Sequence, residues 1–91
     1  MNEWACRNVN ASMFIRYALG DESHIRTELN AGRATCVFSD DRARQLQLEF
    51  FGEAVAIGDL RAFLEVARAV RTTIRAAEKS PDGIWRREET L

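Results

Sequence analysis

Gly58-Asp-Leu-Arg-Ala-Phe-Leu-Glu-Val-Ala-Arg-Ala-Val-Arg-Thr-Thr-Ile-Arg-Ala-Ala-Glu78 is the stretch that organises the chain. Leu60, Phe63, Leu64, Ala67, Val70, Ile74 and Ala77 recur in steps of three and four, the repeat of one buried stripe on an α-helix. Asp59 stands where an N-cap carboxylate can accept from the orphan N–H groups of the first turn. Lys79 suits the negative end of the helix dipole, and Ser80-Pro81 ends the run because proline disfavours a helical residue before it. The spacing predicts a helix over residues 59–79, about 30 Å long at ~1.5 Å per residue.

Upstream, the dominant period is two. Met13, Ile15, Tyr17 and Leu19 alternate with Phe14, Arg16 and Ala18, which reads as a strand that turns at Gly20-Asp21. His24 to Leu29 alternates next, with Ile25, Thr27 and Leu29 inward and His24 on the solvent side. After a turn at Asn30-Ala-Gly-Arg33 come Ala34–Phe38, then Arg44–Phe50 with Leu46, Leu48 and Phe50 inward, then Ala54–Ile57. A turn at Gly52-Glu53 separates the last two. Short connections make neighbouring strands antiparallel. The expected fold is therefore α+β: an antiparallel four- to five-stranded β-meander, then one long C-terminal helix packed on one sheet face.

The 91 residues form one domain on this reading: an N-terminal arm over 1–11, a sheet over 12–57, the helix over 59–79 and a tail over 80–91. Trp4 can anchor the arm, or the arm can form a short edge strand; Trp85 can pin the tail, which also suits an edge strand. Hydrophobic content of 46% beside 30% charged residues argues for a folded chain rather than a disordered one. No apolar run reaches the ~18–20 residues of a membrane span, and the N-terminus lacks the basic and apolar regions of a signal peptide. A cytoplasmic protein is the expectation.

Cys6 and Cys36, with His24 as the single histidine, offer too few soft ligands for a structural zinc site. Cys36 reads as a buried thiol, Cys6 as incidental, and a redox pair is the minor alternative. The glycines stand apart, so no phosphate-cradling loop is present. Asp21-Glu22, Asp40-Asp41 and Glu88-Glu89 fall in turns or the tail, where carboxylates stabilise turns or aid solubility. No catalytic residue, cofactor or metal is expected from these residues. A small enzyme or ligand binder, with a pocket between helix and sheet, ranks last.

Two surfaces rise above this background. Arg61, Arg68 and Arg75 are spaced by seven and stay within ~20° per step on the outer side of the helix, with Arg71 and Lys79 flanking. From Asp59 to Lys79 five basic residues face three acidic ones, a local surplus of two on a chain of net charge −1. The plain alternative is a solvated face with Glu65 paired to Arg61 or Arg68. Secondly, Phe14, Ala18 and Phe51, with Phe38 or Val37, point away from the helix-covered side of the expected sheet. An apolar underside formed by Phe14, Phe38 and Phe51 calls for a partner, most simply a second copy in a two-fold homodimer. The alternative is a monomer whose own arm and tail cover it.

An antiparallel sheet followed by one C-terminal helix, roughly Ser12 to Glu78, resembles the PC4-type single-stranded DNA-binding domains, which pair as dimers. The resemblance is one of topology and implies a nucleic-acid-binding dimer. Such domains work through basic and aromatic strand residues, whereas the strands expected here carry Arg16, Arg26 and Arg44 amid Glu28 and Glu49. The leading expectation is a non-enzymatic interaction module of bacterial or phage type, a homodimer that binds another protein; single-stranded nucleic acid is the alternative partner.

Overall fold

A computed structural model describes residues 2–52 and 54–87. The chain runs through β1 (Trp4–Cys6), α1 (Val9–Leu19), a 3-10 turn (Asp21–Ser23), β2 (His24–Asn30), β3 (Arg33–Phe38), α2 (Ala43–Gly52), α3 (Leu60–Lys79) and β4 (Ile84–Arg86). The four strands form one antiparallel sheet in the order β1-β3-β2-β4. The fold is α+β, but it is not a meander under a single helix. β1 and β2 both run antiparallel to β3, which lies between them, so α1 carries the chain across from one to the other.

The long helix and the central hairpin follow the sequence closely. Asp59 caps α3 by accepting from the Ala62 N–H at 3.0 Å, and Ser80 ends it. β2 and β3 join through Ala31 and Gly32, both at positive φ (53° and 80°), the geometry that matches strand twist in a two-residue hairpin. The N-terminal arm forms edge strand β1, and Trp85 lies in edge strand β4. Glu53 and the Glu88-Glu89 pair lie outside the described residues.

Three expected strands are corrected. Residues 12–19 lie in α1, whose N-cap Asn8 accepts from the Ala11 N–H at 2.9 Å. Residues 44–50 lie in α2, entered through an Asx turn in which Asp40 accepts from the Arg42 N–H at 2.8 Å. Ala43 of α2 is buried in the core, and Leu46 and Phe50, four apart, pack against it. Residues 54–57 form an irregular connection.

All three helices lie on the same side of the sheet. Register places Trp4, Phe38 and His24 on one face, and Cys6, Cys36, Thr27 and Trp85 on that same face. From that face Trp4 bonds Gln47 of α2, His24 bonds Arg16 of α1, and Thr27 bonds Thr73 of α3. α2 sits by β1, α1 over β1 and β3, and α3 over β2 and β4, so the helices run α2-α1-α3 across the sheet. The core gathers Ile15, Met13, Phe38, Cys6, Cys36, Ala67 and Val70. Leu60 and Leu64, expected on the buried stripe of α3, remain 64% and 49% exposed, while Thr73 is buried.

Removing the Asp59 cap tests how far local chemistry sets α3. Asp59→Ala should lower unfolding free energy by about 1 kcal/mol in a urea titration. An unchanged midpoint would mean that packing alone places the helix start.

Candidate interaction surface

The side of the sheet away from the helices carries Ala5, Arg26, Glu28, Arg33, Thr35, Val37, Ile84 and Arg86. It is a polar face. Arg26 is gripped between Glu3 at 3.0 Å and Glu28, and both contacts hold its guanidinium charged. Val37 is only 2% exposed. The apolar underside expected from Phe14, Phe38 and Phe51 is therefore not formed. Phe38 is fully buried on the helix-facing side, Phe14 is buried in α1, and Phe51 projects from α2 at 58% exposure.

Two of those residues are nevertheless linked through Phe50. Phe14 stacks on Phe50 with ring centroids 5.9 Å apart, and Phe50 contacts Phe51 at 5.4 Å. Phe14 also lines an open groove of about 530 Å³, together with Leu48 and Gln45 of α2 and Val55 and Ala56 of the following connection. Leu48 is 57% exposed. Leu48 and Phe51, three apart on a helix, project from neighbouring positions on α2. Reading 44–50 as a strand concealed this pair, because alternation sends residues three apart to opposite faces.

On α3, Arg61, Arg68, Arg71, Arg75 and Lys79 are all exposed. Among the described residues no carboxylate comes within 4.0 Å of any of the five, so the expected Glu65 pair is not formed. These cations occupy the outer layer of the helix that lies farthest from α2.

Buried beneath is a continuous polar chain. Arg16 donates from Nε to Asp21 at 3.0 Å and from a terminal nitrogen to His24 Nδ1 at 3.0 Å. His24 Nε2 meets Thr27 Oγ1 at 2.8 Å, Thr27 meets Thr73 Oγ1 at 2.9 Å, and Thr73 donates to the Val70 carbonyl at 2.7 Å. Arginine has no acceptor, so Nδ1 must accept and the proton sits on Nε2. Donation then runs from Arg16 through His24, Thr27 and Thr73 to the helix backbone. Burial, reinforced by the Arg16 and Arg87 charges, pushes the His24 pKa down to about 3. The ring is neutral at pH 7.

His24 was expected on the solvent side and is fully buried. The cause is a β-bulge: His24 pairs with Phe38 and Arg26 with Val37, so Ile25 is the extra residue. Parity flips there, which lets His24 and Thr27 share the inner face. With both ring nitrogens bonded inside the chain and no exposed surface, His24 cannot meet a substrate in this arrangement. Among the described residues no three His, Cys, Asp or Glu side chains gather as a metal site requires, and no helix is long and apolar enough to cross a membrane.

No family model, no curated protein and no solved structure matches the chain.

Proposed function

We propose that this protein is a non-enzymatic cytoplasmic interaction module of bacterial or phage type. It pairs with a second copy through the apolar side of α2 and presents the cationic side of α3 to an acidic protein. The observation that carries this reading is the exposure of Leu48 and Phe51 beside the groove floored by Phe14. Large apolar side chains clustered at a concavity favour association, and a two-fold arrangement lets one α2 supply both the protruding residues and the groove. The helix order α2-α1-α3 supports simultaneous use of both surfaces, since α1 separates them.

Sedimentation at micromolar concentration tests the pairing. The unaltered chain should run as a dimer, and Leu48→Asp with Phe51→Asp should halve the mass while keeping the circular dichroism spectrum. A monomeric unaltered chain would remove the dimer. For the second surface, Arg68→Glu with Arg75→Glu should abolish capture of the acidic partner from host lysate and leave the mass unchanged.

The five unpaired cations also favour single-stranded nucleic acid as a second reading. The element order behind the PC4-type resemblance is not the observed one, so this reading stands on α3 alone. Binding to an oligonucleotide that weakens steeply with salt, and is lost in the same charge-reversed variant, would move the assignment to nucleic acid.

A further inference from the structure

We propose that Cys6 and Cys36 form an oxidative modification site, at which a peroxide converts two buried thiols into a disulfide that fastens β1 to the sheet. The two residues are direct partners in the antiparallel β1–β3 register. Directly opposed residues in such a pair have Cα atoms about 4.5–5.5 Å apart. That range falls inside the roughly 4.4–6.8 Å that a disulfide spans. Both side chains point to the helix-covered face and both are free thiols.

Each sulfur also has a polar neighbour on the covered face. Cys6 Sγ donates to the Asn8 carbonyl at 3.4 Å, and that same oxygen accepts from Ser12 Oγ at 2.8 Å. Cys36 Sγ in turn lies 3.7 Å from Thr27 Oγ1. With directly opposed Cα atoms and both side chains on one face, side-chain rotation is the movement that the bond requires.

Access comes from the strand that would be locked. β1 is a three-residue edge strand held by pairing to β3 on one side. Short edge elements open at low free energy, and opening β1 exposes Cys6 before anything else in the core moves. In the closed state burial pushes the Cys36 thiol pKa up, which keeps it protonated and unreactive. In the open state the Cys6 thiolate attacks hydrogen peroxide, the O–O bond breaks, and a sulfenic acid and hydroxide form; the hydroxide takes up the proton lost by the thiol. Before β1 closes again, Cys36 sulfur attacks the Cys6 sulfenyl sulfur, the S–O bond breaks, and the leaving hydroxide takes up the Cys36 proton as a second water. The sum is two thiols and one peroxide giving one disulfide and two waters, with the sulfurs oxidised and the peroxide reduced.

The consequence reaches α2, because Trp4 on β1 donates its indole N–H to Gln47 at 2.6 Å. A fastened β1 holds that contact in place.

Full-length protein treated with hydrogen peroxide should lose the mass of two hydrogens and both titratable thiols. A non-reducing digest should join the Cys6 peptide to the Cys36 peptide. The melting temperature should rise by about 10 °C or more and return on adding dithiothreitol, as closing a loop of this length predicts. In Cys36→Ala the Cys6 sulfenic acid should persist and be trapped by dimedone. The mass and linkage measurements decide the matter even if that variant does not fold. Added oxygen atoms on either cysteine, a bond between two chains, or intact thiols after a treatment that oxidises the urea-unfolded chain would each overturn the assignment.

Discussion

Phe38→Ala should cost about 3–5 kcal/mol of folding free energy, the usual range for emptying a buried phenylalanine site. A chain of this size has roughly 5–14 kcal/mol in total, so the variant should lie near the edge of folding. Phe38 is fully buried, its ring centroid lies 5.2 Å from that of His24, and it is register partner to both Trp4 and His24. It ties β1, β2 and β3 to the helix layer at one point. Phe51→Ala should cost the isolated chain less than about 1 kcal/mol, because a side chain 58% exposed loses little by truncation. Urea titrations at concentrations dilute enough to hold the chain monomeric would compare the two directly. If Phe38 lay on a shared underside of the sheet, Phe38→Ala would instead give a stable monomer. That result would overturn the placement of the core as well as the relocation of the interface to α2.

The contrast between these two phenylalanines also shows what could be read from residue order. α3 was legible because its outer face is charged and its inner face is not, which gives the 3.6-residue period a clear phase. The β2–β3 hairpin was legible because alternation is bounded by Asn30 and Gly32. α1 hid for the opposite reason: Ala11 to Arg16 are all buried, so no polar phase marks a helical period and any alternation found there is accidental. In α2 the residues Leu46, Leu48 and Phe50 match a strand, yet Leu46 and Phe50 equally match a helix. Arginine, glutamine, leucine and glutamate are good helix formers, and that preference decides the ambiguity. The basic face of α3 carried over to the structure because it depends on helical phase alone. The sheet underside did not: Phe14 and Phe51 inherited the errors in α1 and α2, and Phe38 of β3 faces the helices. His24 was hidden by one bulge residue, which periodicity cannot announce.

Lowering the pH from about 6.5 to 4.5 should destabilise the protein by roughly 2–2.5 kcal/mol through His24 alone. The native pKa of about 3 lies below the ordinary histidine value of 6.5, so in this window the unfolded chain binds a proton that the folded chain does not. Stability therefore rises with pH across the window, by at most about 1.4 kcal/mol per unit, is complete above about 6.5, and is lost progressively toward pH 3. Burial is the main cause of the sign, and the charged groups facing the ring add to it. Arg16 donates to Nδ1, Arg87 donates to the His24 carbonyl at 2.8 Å, and both charges oppose an imidazolium; Asp21 partly offsets them. Protonated His24 would have no lone pair for Arg16, and the buried chain to Thr27 and Thr73 would lose its first link. Glu3 and Asp40 have carboxyl pKa values lowered by arginine contacts, and Asp82 by the Ser80 hydroxyl and then Arg86, so their contributions are likewise lost on acidification, but only below about pH 4.5. The interval from 4.5 to 6.5 consequently belongs to the histidine. His24→Gln keeps an acceptor for Arg16 and a donor for Thr27, so it should flatten the pH dependence in that interval even if its overall stability is lower. Urea midpoints at half-unit steps would measure this, and an unchanged slope in His24→Gln would show that the ring is not the group that titrates.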